Sequence, residues 1–399
     1  MQEESIGFHH HPALAGSLTP PTTASSIRNF SPGPTSLPRK IQEQISERLL
    51  SVNQISSMYL SHRSPEFISI LNDCKSLVKQ VLDIPDSYEI LFTHGGGHGQ
   101  FCAVPLNLCH TGEEKATYLV NGTWSQRAVE EGKRYCRPLV ISSKNNDGTF
   151  TSFPSIDTIN PESTYVHLCS NETVNGIELY KLPQLLKQGI EAPLIVDASS
   201  DITTKPIQWD QSNVGILYAC ASKNIGHPGI TLCVIRKDLL GHENPLCPGI
   251  LNYRTNIEAG NLWNTIPTFN VEVIGLMMQW ILEQGGIMEM ERASILKSKL
   301  VYDLIDSSQG FYKTPLTSEK ERKLRSRMNI PFELANGEMG LTDRFLQAAW
   351  EQGIVGLRTL TPFGYGKYLR ASLYHGVSLE DTEFLVQFMK DFMNKQTLH

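Results

Sequence analysis

The chain of 399 residues predicts an α/β fold built on a mostly parallel sheet, and three observations carry that reading. Short apolar runs alternate with helical segments from about residue 88 to about residue 250. Several of these runs end in glycine-rich or polar residues, as strands do where open α/β sheets build their sites. An acid and an amine, Asp197 and Lys223, stand at the ends of two such runs, Pro193–Val196 and Val214–Cys220, and Gly226, Pro228 and Gly229 break the chain just beyond the second.

That pair suits one chemistry. A lysine can form a Schiff base with pyridoxal phosphate, and an aspartate can keep the pyridinium nitrogen protonated so that the ring acts as an electron sink. The competing reading of the same two residues is an ordinary salt bridge. Other stretches bear on the choice. After the strand Tyr88–Phe92 comes His94-Gly95-Gly96-Gly97-His98-Gly99-Gln100, leading into an apolar helix expected to begin near Phe101. Strand, glycine turn and helix start together bind phosphate, because the first turn leaves amides unpaired and glycines allow close approach. The turn is neither GxGxxG nor a Walker A loop, so no nucleotide is implied.

Composition narrows the function classes. Hydrophobic residues make up 40% and charged residues 19%, as in soluble enzymes, and the net charge of -6 comes without any basic block, which argues against a nucleic-acid partner. No apolar run reaches the ~18 residues of a membrane span, and no signal peptide opens the chain; a cytoplasmic protein is expected. Eight cysteines without a CxxC pair indicate neither a disulfide framework nor a zinc site. His9-His10-His11 sits in a polar tail and is read as incidental, so no metal is expected.

In chain order, residues 1 to 27 are rich in Pro, Ser, Thr and Gly and read as a flexible leader. Asn29 to Pro34 is turn-rich, and Leu37-Pro38-Arg39-Lys40 opens an amphipathic helix reaching about Ser51. His62 and Arg63 lie in a polar loop before a helix at Pro65–Leu82, a pair that matters if an anion is bound nearby. The strand Ala116–Val120 ends where Trp124 opens a helix, placing an indole able to stack on a flat ring. Tyr165–Leu168 is the next strand, followed by the polar run Ser170 to Gly176; Ile230–Ile235 is the last of this series. A polar loop at Gly260–Thr268 precedes a long apolar helix at Asn270–Glu283, and Gly285-Gly286 marks a boundary. Beyond it, a helix at Met288–Asp306 leads into a smaller α+β portion, where Arg370 lies in a strand-like run and could meet a carboxylate bidentately.

From about Arg28 to the C-terminal helix the sequence resembles the phosphoserine aminotransferase family of class-V, fold-type-I pyridoxal-phosphate enzymes. The resemblance rests on Asn29–Pro34, His94–Asn107, Ser170–Gly176, Val196–Ser200, Ser222–Gly226, Trp263–Phe269, Arg325–Phe332 and Arg370-Ala371-Ser372, in that order. It implies a large cofactor-binding domain at 28–285 with a mostly parallel seven-stranded sheet, and a small α+β domain at 286–399 onto which residues 28–50 can pack. By the same resemblance, Lys223 carries the Schiff base and shuttles the α-proton, Asp197 meets the ring nitrogen, Trp124 stacks on the ring and Thr173 bonds its phenolic oxygen. Gly97, His98, Ser199 and Ser222 belong to the cofactor-binding set, joined by Asn264 and Thr265 from a second subunit, which makes the protein a homodimer with sites at its interface. Arg370 holds the substrate α-carboxylate, and His62 and Arg63 reach from the partner chain toward its distal group.

The sequence departs from the family in three places. Ser222 stands where glutamine is usual, and His98 where arginine is usual. The His-Arg pair expected a few residues before Arg370 is replaced by the longer segment Arg358 to Leu369. Each lost charged hydrogen bond would forfeit ~1.5–3 kcal/mol. The reading is therefore an aminotransferase of phosphoserine type with a rebuilt distal pocket and a less anionic amino acid, unless Arg358 or Lys367 compensates. The alternatives are a phosphoserine enzyme proper, a different reaction on the same cofactor (elimination, replacement or C–C bond formation), and an inactive scaffold.

Overall fold

The computed structural model describes residues 26–335, 339–361 and 364–397, the side chains of 339, 359–361, 364–367 and 397 excepted. The leader up to residue 25, with its histidine tract, lies outside the described residues, as does the side chain of Lys367.

Two helices come first, α1 (Arg39–Leu50) and α2 (Pro65–Leu82). Ser64 caps α2, its hydroxyl accepting from Phe67 N, and Pro65 follows at the first helical position, where its missing N–H costs nothing. The main sheet follows, and only its first three strands alternate with α-helices, shorter than the expected run to about residue 250: β1 (Tyr88–Thr93), α3 (Gly96–Leu108), β2 (Lys115–Val120), α4 (Thr123–Gly132), β3 (Arg137–Ser142), then β4 (Val166–Cys169), β5 (Leu194–Asp197), β6 (Val214–Cys220) and β7 (Thr231–Arg236). Its seven strands run in the order β1-β7-β6-β5-β4-β2-β3, and β7 alone is antiparallel to its neighbours. The sheet is thus mostly parallel, as the sequence predicts. The central strands read as unbroken apolar runs because both of their faces are buried.

Two boundaries differ from expectation. α3 starts at Gly96, not near Phe101, so the glycine run is itself the first helical turn; Gly95, at φ 93°, supplies the left-handed residue that turns the chain from β1 into it. β3 shows no clear strand pattern in the sequence because it is an exposed edge strand, with Val140 51% exposed and Pro138 inside it.

Helix α5 (Thr268–Glu283) packs along α2, and α6 (Ile287–Ser307) leads to a second, four-stranded sheet. There Tyr312–Lys313, β8 (Asn329–Leu334), β10 (Gly364–Ser372) and β9 (Arg358–Thr361) lie side by side, all antiparallel. Helices α7 (Met339–Glu351) and α8 (Leu379–Thr397) contribute to its core, which also takes in Phe30.

Buried charge joins the two sheets. A short hairpin pairs Asn171–Glu172 with Ile177–Glu178 after β4. Glu178, fully buried, accepts from Arg327 N at 2.7 Å, Arg327 Nη2 at 2.6 Å and Lys205 Nζ at 3.2 Å. Lys205 also pairs with Asp201, whose Oδ1 accepts from Ser170 Oγ at 2.6 Å, while Arg327 Nη1 reaches Glu291 at 3.0 Å. Burial pushes Glu178 up, but Lys205 and Arg327 outweigh it and hold the carboxyl below its ordinary range. Removing one member of such a group strands the others without water or partner.

Glu178→Ala should therefore destabilise the fold by about 3–5 kcal/mol in denaturant unfolding. A pH prediction follows from His167 in the middle of β4, 2% exposed, with Nε2 2.8 Å from Tyr218 Oη. Burial lowers its pKa from 6.5 to about 3. The unfolded chain takes up this proton while the native one refuses it, so stability is full above 6.5 and falls as pH drops toward 3. Denaturant melts of His167→Gln across that range should show an acid slope flattened by up to about 1.4 kcal/mol per pH unit.

Candidate active site

Because β1, β2, β4, β5 and β6 all point the same way, their carboxyl ends deliver side chains to one edge of the sheet. Lys223 follows β6, and its Nζ donates to Thr173 Oγ1 at 2.9 Å while lying 5.9 Å from the centre of the Trp124 ring. Burial opposes its charge, but Tyr374, Cys220, Asp197 and Cys169 outweigh that and hold the amine above the ordinary lysine range. Asp197 ends β5, 4% exposed, with Oδ1 accepting from Ser199 N at 2.9 Å. Burial pushes its carboxyl up; the Ser199 donors and the Lys223 charge only partly offset this. Asp197 and Lys223 form no ion pair within 4.0 Å, each being held by a different partner. The ordinary salt bridge is thus not what this pair makes.

Around them the backbone comes close. A methyl group at Gly97 would sit 3.8 Å from Asp197 Oδ2 and 3.7 Å from Ser199 Oγ. Ser199 Oγ in turn accepts from Cys220 N at 3.2 Å, tying the end of β5 to the end of β6. The segment before α1 forms a strap over Lys223. Gly33, at φ 132°, lies so near that a Cβ would be 3.4 Å from Lys223 Cγ; Thr35 N donates to Ser222 O at 3.3 Å, and Tyr374 Oη to Pro32 O at 3.1 Å. From the second sheet, Arg370 is 6% exposed and donates from Nη1 to Thr173 O at 2.6 Å; no carboxylate pairs with it among the described residues, and its Nε is buried without a partner. Burial lowers its pKa.

Trp124 stands at the head of α4, with its indole Nε1 buried and unpartnered. Arg127 lies 5.3 Å from its ring centre and 3.4 Å from His98 Nε2. A cleft of about 590 Å³ opens here, lined by His98, Thr123, Arg127, Lys144 and Asn175 among others.

Gly97, Trp124, Thr173, Asp197, Ser199, Lys223 and Arg370 therefore meet within one chain. Ser222 adjoins them, its Oγ 3.5 Å from Cys220 Sγ. Thr265 is exposed, and Asn264 Nδ2 meets its carbonyl at 3.4 Å and His94 Nε2, at the head of the glycine turn, at 2.8 Å. His62 is 7% exposed with Nε2 unpartnered, and Arg63 is exposed beside it; no hydrogen bond joins either to the Lys223 group. Arg358 pairs with Asp343. Glu172, Asn175, Gly33 and Tyr374 are parts of the site that the sequence does not single out. The one signal for Glu172 is an acid set beside Thr173 at the end of an apolar strand.

A flat aromatic ring bearing a phosphate fits these residues. The first turn of α3 offers unpaired amides with glycine before them, Trp124 offers a ring face, and Arg370 Nε is a buried donor awaiting an acceptor. The family described as aminotransferase class-V matches residues 27–385. The chain belongs to it, and class-V aminotransferases are pyridoxal-phosphate enzymes. Within that class it is of the phosphoserine aminotransferase type. The phosphoserine aminotransferase of Albidiferax ferrireducens is 37% identical over 377 residues, covering 92% of this chain and 99% of that one. The phosphoserine aminotransferase structure from Bacillus circulans subsp. alkalophilus superposes with a TM-score of 0.85 at 32% identity, covering 94% and 100% of the two chains. A pyridoxal-phosphate-bound phosphoserine aminotransferase from Trichomonas vaginalis gives 0.82 at 31% identity, covering 91% and 99%.

Gly33→Ala forces a side chain into a left-handed conformation against Lys223. It should cost about 1–3 kcal/mol in thermal or denaturant unfolding and weaken uptake of pyridoxal phosphate, read by absorbance titration.

Proposed function

We propose that the protein transaminates an α-amino acid gripped through its carboxylate by Arg370, and that its distal-group pocket differs from the family pattern. The observation that carries the proposal is that, among the described residues, the Arg370 side chain bonds the Thr173 carbonyl and no carboxylate, which leaves a buried cation suited to one. In this reading the ring of pyridoxal phosphate, when bound, takes up the electron pair left by breaking the Cα–H bond. Lys223 Nζ binds the cofactor and moves the α-proton. Asp197 holds the proton on the ring nitrogen, Thr173 meets the phenolic oxygen, and Trp124 covers one face. The α3 amides at Gly97 and His98, with Ser199 and Ser222, surround the phosphate.

A homodimer would complete the site, with Asn264, Thr265, His62 and Arg63 crossing to a partner. In support, the segments bearing these residues expose large apolar side chains: Val52 is 94%, Ile55 70%, Tyr59 79% and Trp263 52% exposed. No helix of the described residues is long and apolar enough to cross a membrane.

The altered substrate rests on the missing His-Arg pair and on the engagement of Arg358 with Asp343. A second reading, in which phosphoserine remains the substrate, draws on 37% identity to a phosphoserine aminotransferase and on Arg127 and Lys144, which line the cleft together with Glu130 and Glu131. The ratio of kcat/KM for phosphoserine to that for neutral amino acids decides between them: a ratio above one discards the altered pocket. In either reading Lys223→Ala should abolish turnover. Arg370→Gln should raise KM about 10- to 100-fold, in line with loss of a charged hydrogen bond. Retained transamination in the lysine variant would sink the assignment.

A further inference from the structure

The start of α4 is capped from outside the helix. Thr123 N donates to Asn175 Oδ1 at 2.9 Å, Trp124 N to Glu172 Oε2 at 2.9 Å, and Ser125 N to Glu172 Oε1 at 2.8 Å, an oxygen that also accepts from Ser125 Oγ at 2.6 Å. The first amides of a helix have no partner within it, and the positive end of its dipole favours an anion there. Glu172 is fully buried and no cation pairs with it among the described residues; its two oxygens are occupied by α4. Burial raises its pKa, against the pull of the Ser125 and Trp124 donors.

The fit is tight from the other side as well. A Cβ at Gly122, just before α4, would lie 2.4 Å from Glu172 Cγ and Cδ and 2.7 Å from Asn175 Oδ1. The φ of Gly122 is 176°, open to any residue, so glycine is required there for space and not for conformation. The residue next to Glu172 is Thr173, whose hydroxyl accepts from Lys223 and whose carbonyl accepts from Arg370. Two consecutive residues thus fix the backbone under the indole, the lysine amine and the guanidinium.

We propose that Glu172 is a positioning residue: by gripping the head of α4 it sets the distance and tilt of the Trp124 indole relative to Lys223, and so sets how tightly the flat ring of the cofactor is held. The proposal rests on the cofactor reading given above. Glu172 acts through Trp124, so its loss should matter little once the indole is gone. A purely structural cap would instead lower stability by the same amount in either background.

The test compares the wild type, Glu172→Ala, Glu172→Gln, Trp124→Phe and the Glu172→Ala/Trp124→Phe double variant as full-length apoenzymes. Each is titrated with pyridoxal phosphate, and its tryptophan indole N–H resonances are recorded before addition. Trp124 is identified by the signal missing from Trp124→Phe; the chain has five tryptophans, so the other four serve as controls. Glu172→Ala should move the Trp124 resonance, leave the others in place, and weaken cofactor binding about tenfold or more. In the Trp124→Phe background the same change should alter log Kd by less than half as much. Glu172→Gln, which keeps one acceptor oxygen, should fall between, and it carries the comparison if the alanine variant does not fold. An unmoved Trp124 resonance, or an equal loss of affinity in both backgrounds, overturns the proposal. Failure of the wild type to bind pyridoxal phosphate would overturn the cofactor reading instead, and the resonance comparison in the apoenzyme would still decide whether Glu172 places the indole.

Discussion

Everything around the site hangs on the short hairpin that pairs Asn171–Glu172 with Ile177–Glu178. Side chains alternate across an extended strand, and cross-strand partners share a face; Glu172 faces with Ile177, and Glu178 with Asn171. Two fully buried carboxylates are thereby sent to opposite sides of one ribbon. One holds the helix that carries Trp124; the other holds Arg327 and Lys205 at the seam between the sheets. An isolated buried carboxylate is costly, so each is kept only because its donors are complete. Thr173, in the turn between them, inherits a position fixed from both directions, and Lys223 and Arg370 take theirs from it.

How much of this the sequence shows depends on how local each feature is. Central strands were legible because burial on both faces makes them unbroken apolar runs, and Asp197 and Lys223 were legible because a charged residue ending such a run is conspicuous. The edge strand Arg137–Ser142 left no such mark, being half exposed and interrupted by proline. The sequence places the glycine turn ahead of a helix beginning near Phe101, whereas Gly95 and Gly96, at φ 93° and 61°, turn the chain and the helix starts at once with Gly96. Glu172 carries little local mark because its partners lie 47 and 48 residues earlier in the chain, and the Arg370–Thr173 contact spans 197 residues. Pattern reveals what a residue is; its partner is supplied by the fold.

The two sides of the site come from different sheets. Arg370 rises from the antiparallel second sheet, whereas the residues around Lys223 hang from the parallel one. The Glu178 cluster is one link between the two sheets, alongside the bonds from Asn171 Nδ2 to Asn329 Oδ1 and from His375 N to Asn224 Oδ1.

The strap over Lys223 has a consequence for how the molecule is made. Arg28 and Asn29 pair with Ile354 and Val355, Phe30 sits in the second core, and Pro32 accepts from Tyr374. The segment that covers the lysine leaves the ribosome well before the strand and the tyrosine that hold it down, Pro32 and Tyr374 lying 342 residues apart. Parallel pairings within the first sheet can form while synthesis continues. The strap over the lysine, by contrast, cannot be fastened until Tyr374 has followed it out, so the site closes only after both sheets have been made.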